Sequence, residues 1–238
     1  MTAFVEIKHF KMSFGGKTVI KDLNFTVEKG EIFGLLGSNG SGKTTTIRTL
    51  LGLYAATAGE LLINGQPFEP GRVSVGYLPE ERGLYKKESV IDTMLYFAEL
   101  KGLGNAREWC ENYLARVGLS DKLQEKTEKL STGQQQKVQL GICMMGNPEL
   151  LILDEPTKGF DPVNRKLLME IIDELHRQGT TIILITHYMD EVERLCNRAV
   201  LLKDGKAYAY GTIPEIKKQF NNKSLDDIFV QIYGGQDE

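Results

Sequence analysis

Up to about Leu78 the apolar residues fall into short β-prone runs, "FVEIKHF", "LNFTV", "EIFGLLG", "GELLING" and "RVSVGYLP", separated by the turn signals "GG", "EKG" and "NG". One helix interrupts them, from about Lys43 to Leu51. From about Ser89 to Gly146 the period becomes helical, as in "VIDTMLYFAELKGL" and "AREWCENYLARVGL", with no strand among them. The pattern then returns to strands and helices in alternation. "LLILDEP" precedes a helix from Pro162 to about Arg177, and "TTIILIT" precedes a helix from Tyr188. "RAVLLKDGKAYAYG" reads as a hairpin on its "DG". This grammar predicts an α/β fold around a buried, mostly parallel sheet, carrying an all-helical insertion. Without repeats, low-complexity tracts or a Pro/Ser-rich linker, the 238 residues read as one continuous domain.

Composition narrows the classes. An apolar content of 41% is ample for a core, and a formal charge of -3 without a basic stripe argues against nucleic acid as a partner. Cys110, Cys143 and Cys196 are far apart, with no CxxC and no nearby histidine pair, so they read as reduced thiols rather than a metal site. Glu6 and Lys8 interrupt the apolar N-terminal stretch, which therefore lacks the h-region of a signal peptide. The runs "LLIL" and "IILI" stop after four residues, far short of the roughly 20 that cross a bilayer.

Three strand ends carry candidate chemistry. Behind "IFGLLG" comes the loop Gly37, Ser38, Asn39, Gly40, Ser41, Gly42, Lys43, Thr44, Thr45, which opens a helix. Its glycines let successive N–H groups turn inward onto phosphate oxygens, and the helix adds the positive end of its dipole. Lys43 supplies a mobile cation for β- and γ-phosphates, and the Thr44 hydroxyl suits Mg²⁺. The bland alternative is a glycine-rich turn that merely caps a helix. "LLILDEP" ends in Asp154 and Glu155: the first suits Mg²⁺, the second a base that orients the attacking water. "ILITH" ends in His187, 33 residues beyond Asp154, a spacing that suits one helix and one neighbouring strand. His187 there could donate to a γ-phosphate, where a packing role is the alternative.

Together "GSNGSGKTT", "LSTGQQQK" 23 residues before the "DEP" aspartate, "KGFDP" and the "TH" pair resemble the ATP-binding subunit of an ABC transporter, from about Phe4 to Gly211. The resemblance implies a P-loop NTPase of ABC type with a mixed β-sheet core and an inserted α-helical subdomain. The ATP-binding core would take about 1–83 and 147–211, the helical subdomain about 84–146, and a helical tail about 212–238. It implies ATP and Mg²⁺ as ligands, and adenine stacked on Phe14, although a lone Phe before a turn equally suits a core. Ser131, Gly133 and Gln134 would contact ATP from the signature, and Asp161 would let two active sites sense one another.

This chain departs from the family's pattern twice. Thr132 replaces the first glycine of the usual Leu-Ser-Gly-Gly-Gln, and Glu80 of "GYLPEERGLY" stands where glutamine is usual. A carboxylate at 80 adds negative charge near ATP or offers a harder metal ligand. The phrase nevertheless resembles prokaryotic sodium-extrusion and drug-resistance ATPases, which pair with a separate integral membrane permease. An ATPase working as a homodimer or paired with a second ATPase subunit, at the cytoplasmic face of the membrane, is the implied arrangement. Two alternatives use the same sites: a soluble ABC ATPase of translation or DNA repair, and a slow-hydrolysing, nucleotide-gated interaction module. In the tail, Leu225, Phe229 and Ile232 fall at helical spacing, which favours a helix packed on its own core over one that docks a partner.

Overall fold

The computed structural model describes residues 3–81 and 83–234, so the first two residues and the last four of the expected tail lie outside the description. In chain order the elements are β1 (Ala3–Phe14), β2 (Lys17–Glu28), β3 (Ile32–Gly37), α1 (Lys43–Leu50), β4 (Ala58–Ile63), β5 (Val75–Leu78), α2 (Val90–Leu100), α3 (Arg107–Arg116) and α4 (Thr132–Met144). They continue with β6 (Leu150–Asp154), α5 (Pro162–Arg177), β7 (Thr181–Ile185), α6 (Met189–Leu195), β8 (Arg198–Lys203), β9 (Lys206–Thr212), α7 (Ile213–Gln219) and α8 (Leu225–Tyr233). Contacts gather them into two compact units, Met1–Val73 with His176–Glu238, and Ser74–Leu175. The expected helical subdomain, 84–146, lies wholly within the second.

In the first unit the strand order is β4-β1-β2-β9-β8-β3-β7. The sheet is mixed: β3 runs parallel to β7 and β8, while β1 pairs antiparallel with β2 and β4, and β8 with β9. Every residue of β3 and β7 is buried, the reason both read as unbroken apolar runs rather than alternating ones. The "DG" hairpin forms as its letters predict, with Asp204 and Gly205 both at positive φ. A β-carbon on Gly205 would lie 2.5 Å from the Val19 carbonyl oxygen, so this turn has room only for glycine. The described part of the tail, up to residue 234, carries α7 and α8 and belongs to this unit. Thr212 and Glu215 close a capping box at the head of α7, and Ser224 caps α8. Leu225, Ile228 and Ile232 of α8 are buried, Phe229 is half-covered, and the Leu225 N–H donates to Glu193 Oε1 at 2.9 Å.

In the second unit β5 and β6 pair in parallel, Leu78 opposite Leu153, and the helices α2, α3 and α4 pack together. A β-carbon on Gly141 of α4 would collide with the Tyr113 ring of α3, and the Tyr113 hydroxyl donates to the Lys137 carbonyl at 2.7 Å. Lys101 Nζ donates to the carbonyls of Ile142 (2.6 Å), Cys143 (3.3 Å) and Met145 (3.1 Å), closing the end of α4. All three cysteines are buried free thiols. Among the described residues no helix is long and apolar enough to cross a membrane.

Candidate functional site

The first unit carries the glycine loop. At its start the backbone of Gly37 crowds β8: a β-carbon there would lie 2.8 Å from the Leu202 carbonyl oxygen. At its end Gly42 is the N-cap of α1 in a left-handed conformation, φ 103°, and a β-carbon would strike the Ile20 side chain. These two positions hold the loop close to the sheet, and Gly42 as N-cap brings no side chain of its own to the head of α1. Lys43 Nζ reaches back over the loop to donate to the carbonyls of Gly37 (2.7 Å) and Ser38 (3.0 Å). Thr44 and Thr45 are half-buried on the first turn of α1. The buried Ser41 hydroxyl has no hydrogen-bond partner. A buried hydroxyl without a partner is costly, and a phosphate oxygen in the loop would satisfy it. A concave loop, a cation over it, a helix start whose N-cap carries no side chain and an unsatisfied Ser41 hydroxyl fit a polyphosphate, and Thr44 at the helix start fits its Mg²⁺.

His187 follows β7 and is exposed, its ring 4.2 Å from that of Tyr188 between centroids. The buried Thr186 beside it fixes the turn, its hydroxyl accepting from the Tyr188 N–H at 3.1 Å and bonding Glu191 Oε2 at 3.2 Å. His187 lines a cavity of 680 Å³ together with Gly37, Ser38 and Asn39. The structure thus brings the imidazole and the start of the phosphate loop to one space. Phe14, at the end of β1, is not among the described residues lining it. Its ring is 43% exposed and packs edge-to-face on Tyr54, centroids 5.4 Å apart, which leaves a face available for stacking.

The second unit carries the acids and the signature. Asp154 is buried at the end of β6, and Glu155 follows at φ 51°, a left-handed conformation uncommon for a side-chain-bearing residue. Strain of this kind persists where surrounding contacts enforce it. Among the contacts here are the Lys158 N–H, which donates to the Glu155 carbonyl at 3.2 Å, and Gln136 of α4, 5% exposed, whose Nε2 donates to the carbonyls of Glu155 (3.1 Å) and Pro156 (2.5 Å). Residue-by-residue reading of the motif missed Gln136. Its only signal was a polar residue two positions past Gln134 on what becomes the buried face of α4.

Ser131 and Gln134 form a reciprocal capping box: the Ser131 hydroxyl accepts from the Gln134 N–H (3.3 Å), and Gln134 Oε1 accepts from the Ser131 N–H (2.9 Å). Thr132 is the exposed first residue of α4, so the departure from glycine meets no steric obstacle. A β-carbon on Gly133 would make ordinary contact with the Phe160 ring at 3.6 Å. Asp161 is the helix-capping residue of α5: it accepts from the Asn164 N–H at 2.8 Å, and this bond is the main cause holding its carboxyl below the usual range. Glu80 pairs with Lys158 Nζ at 2.6 Å on the protein surface. Among the described residues no three His, Cys, Asp or Glu side chains gather as a metal cage. A Mg²⁺ held mainly by phosphates and water needs only one or two protein ligands.

Residues 20–158 match the family model described as ABC transporter. An ABC transporter ATP-binding protein of Methanocaldococcus jannaschii is 44% identical over 214 residues, 89% of this chain and 79% of the relative. The Nod factor export ATP-binding protein I of Paraburkholderia xenovorans is 38% identical over 88% of this chain and 71% of its own length. The linearmycin resistance ATP-binding protein LnrL of Bacillus subtilis is 33% identical over 95% and 75%. A solved structure of an ATP-binding subunit of an ABC transporter superposes with a TM-score of 0.89 at 32% identity, covering 97% of this chain and 99% of that one.

Proposed function

We propose, on the premise that this chain belongs to the ABC transporter family as an ATP-binding, ATP-hydrolysing subunit, that it is the motor of an export system. The observation that carries the ATP site is the phosphate loop, with its unsatisfied Ser41 hydroxyl and the His187 side chain on the same cavity. Export is supported by the relatives named for Nod factor export and linearmycin resistance. Acting as a single ATPase domain, the chain binds ATP with the N–H groups of the loop from Gly37 to Thr45, and Lys43 neutralises the β- and γ-phosphates. Phe14 stacks on adenine. Thr44 and Asp154 hold Mg²⁺, which when bound supplies a Lewis acid at the phosphate oxygens. Glu155 accepts hydrogen bonds from the attacking water and orients it, and His187 donates to the γ-phosphate. Ser131, Gly133 and Gln134 complete the phosphate shell of a second subunit's ATP, and Asp161 links the two sites. Glu80 belongs to the loop that faces the metal shell and the membrane permease at the cytoplasmic side. ATP then holds two subunits together and hydrolysis releases them.

Mixing two inactive variants tests the shared site. Lys43→Ala removes the phosphate cation, while Ser131→Asp retains a capping side chain for α4 and places a negative charge against the partner's phosphate. A mixed dimer holds one doubly damaged site and one intact site, so ATPase activity returns on mixing, together with ATP-dependent cross-linking between the two variants. Neither activity nor cross-linking on mixing would overturn the shared arrangement.

A further inference from the structure

The cavity that holds Gly37, Ser38, Asn39 and His187 has a second wall, made by Phe229, Val230 and Tyr233 of α8 and by its C-cap Gly234. This helix is fastened in place. Its buried face packs through Leu225, Ile228 and Ile232, and the Tyr233 hydroxyl donates to the Leu202 carbonyl at 2.8 Å. Leu202 is the β8 residue directly opposite Gly37 of β3, so the anchor of α8 and the first residue of the phosphate loop sit on one rung of the sheet. The carbonyl end of a helix is electronegative and would repel an anion beside it. Here Lys203 Nζ donates to the Ile232 carbonyl and offsets that end. Val230 is 66% exposed although it borders the cavity, so a change there alters the space without disturbing the core.

We propose that α8 is a structural wall of the nucleotide site, with Val230 bordering the space that receives the phosphate charge of a bound nucleoside triphosphate, so that the C-terminal helix sets nucleotide affinity. The proposal rests on the ATP-binding reading of the loop and adds to it a wall from the far end of the chain. A charge introduced at position 230 borders the space of the nucleotide's phosphates and acts on them electrostatically through the solvent of the cavity, where salt screens it.

The test uses the full chain with Val230→Lys and Val230→Asp, and the same two charges at Leu53, which is 62% exposed and outside the cavity lining, as controls. The dissociation constant of Mg-ATP is measured by calorimetry at low and high salt. Val230→Lys binds more tightly than wild type and Val230→Asp more weakly, with a gap of about fivefold at low ionic strength. The gap closes at about 0.5 M salt, where the screening length is only a few ångströms. The Leu53 variants stay within about twofold of each other, as exposed and screened charges should. A purely structural role would move both Val230 variants in the same direction. That outcome, or equal affinities for the two while Lys43→Ala still abolishes binding, overturns the wall. If wild type bound no ATP and Lys43→Ala changed nothing, the underlying nucleotide site would fall with it.

Discussion

Replacing Gln136 with methionine keeps the length of the side chain and removes its amide. In the native structure that amide serves two carbonyls, of Glu155 and Pro156, from a position 5% exposed. Leaving a buried acceptor without a donor costs about 1–3 kcal/mol. The Pro156 carbonyl, in a buried residue, bears that penalty, while the Glu155 carbonyl keeps a donor in the Lys158 N–H at 3.2 Å. The expected loss is about 1–3 kcal/mol, or roughly 3–10 °C in Tm for a chain of this size. The same bonds help to hold Glu155 at φ 51°, a conformation that costs about 1–2 kcal/mol where nothing enforces it. Freed of the clamp, the turn relaxes towards negative φ and carries the carboxylate with it. A displacement of about 1 Å at a reacting group costs on the order of a hundredfold in rate. Gln136→Met should therefore lower kcat about a hundredfold while the KM for ATP stays within a few-fold, because the phosphate loop is untouched. Urea denaturation followed by circular dichroism gives the stability, and phosphate release across an ATP titration separates kcat from KM. A variant that lost stability but kept the wild-type kcat would show that Gln136 only packs the core and does not position Glu155.

The Glu80–Lys158 pair is half-exposed at both ends, so a double-mutant cycle with Glu80→Gln and Lys158→Ala should give a stability coupling of about 0.2–1 kcal/mol, and a coupling above about 2 kcal/mol would contradict its description as a surface pair. Burial pushes the Cys110 thiol up to about 11 and the Cys143 thiol up to about 12, and raises Cys196 as well. At pH 8 the native protein should resist a thiol-specific disulfide reagent and release all three thiols to it in denaturant; rapid labelling of the native chain would refute the buried assignment.

What could be read in the sequence was chemistry that neighbours settle among themselves. The glycine spacing of residues 37–42 shapes a loop within a single turn of chain, and the capping boxes at Ser131 and Thr212 are closed by residues three positions on. The "DG" hairpin and the unbroken apolar runs of β3, β6 and β7 are equally local. Each works because backbone geometry brings positions at a fixed short spacing into contact, whatever the rest of the chain does. The tertiary structure alone decided which distant groups meet. Gln136 reaches the carbonyls of Glu155 and Pro156 across the space between α4 and β6, and a side-chain bond to a backbone carbonyl leaves no pattern in the letters. Glu80 finds Lys158 78 residues away, an ion pair that neither stretch announces. Asp161 proves to cap α5, a local task that its motif had obscured. The last helix shares a cavity with the loop that follows β3 because β8 lies beside β3 and carries the anchor of Tyr233 to the rung of Gly37. Sheet order decides that meeting, and sheet order comes from burying all the apolar strands at once, a property of the whole chain that no short stretch of residues contains.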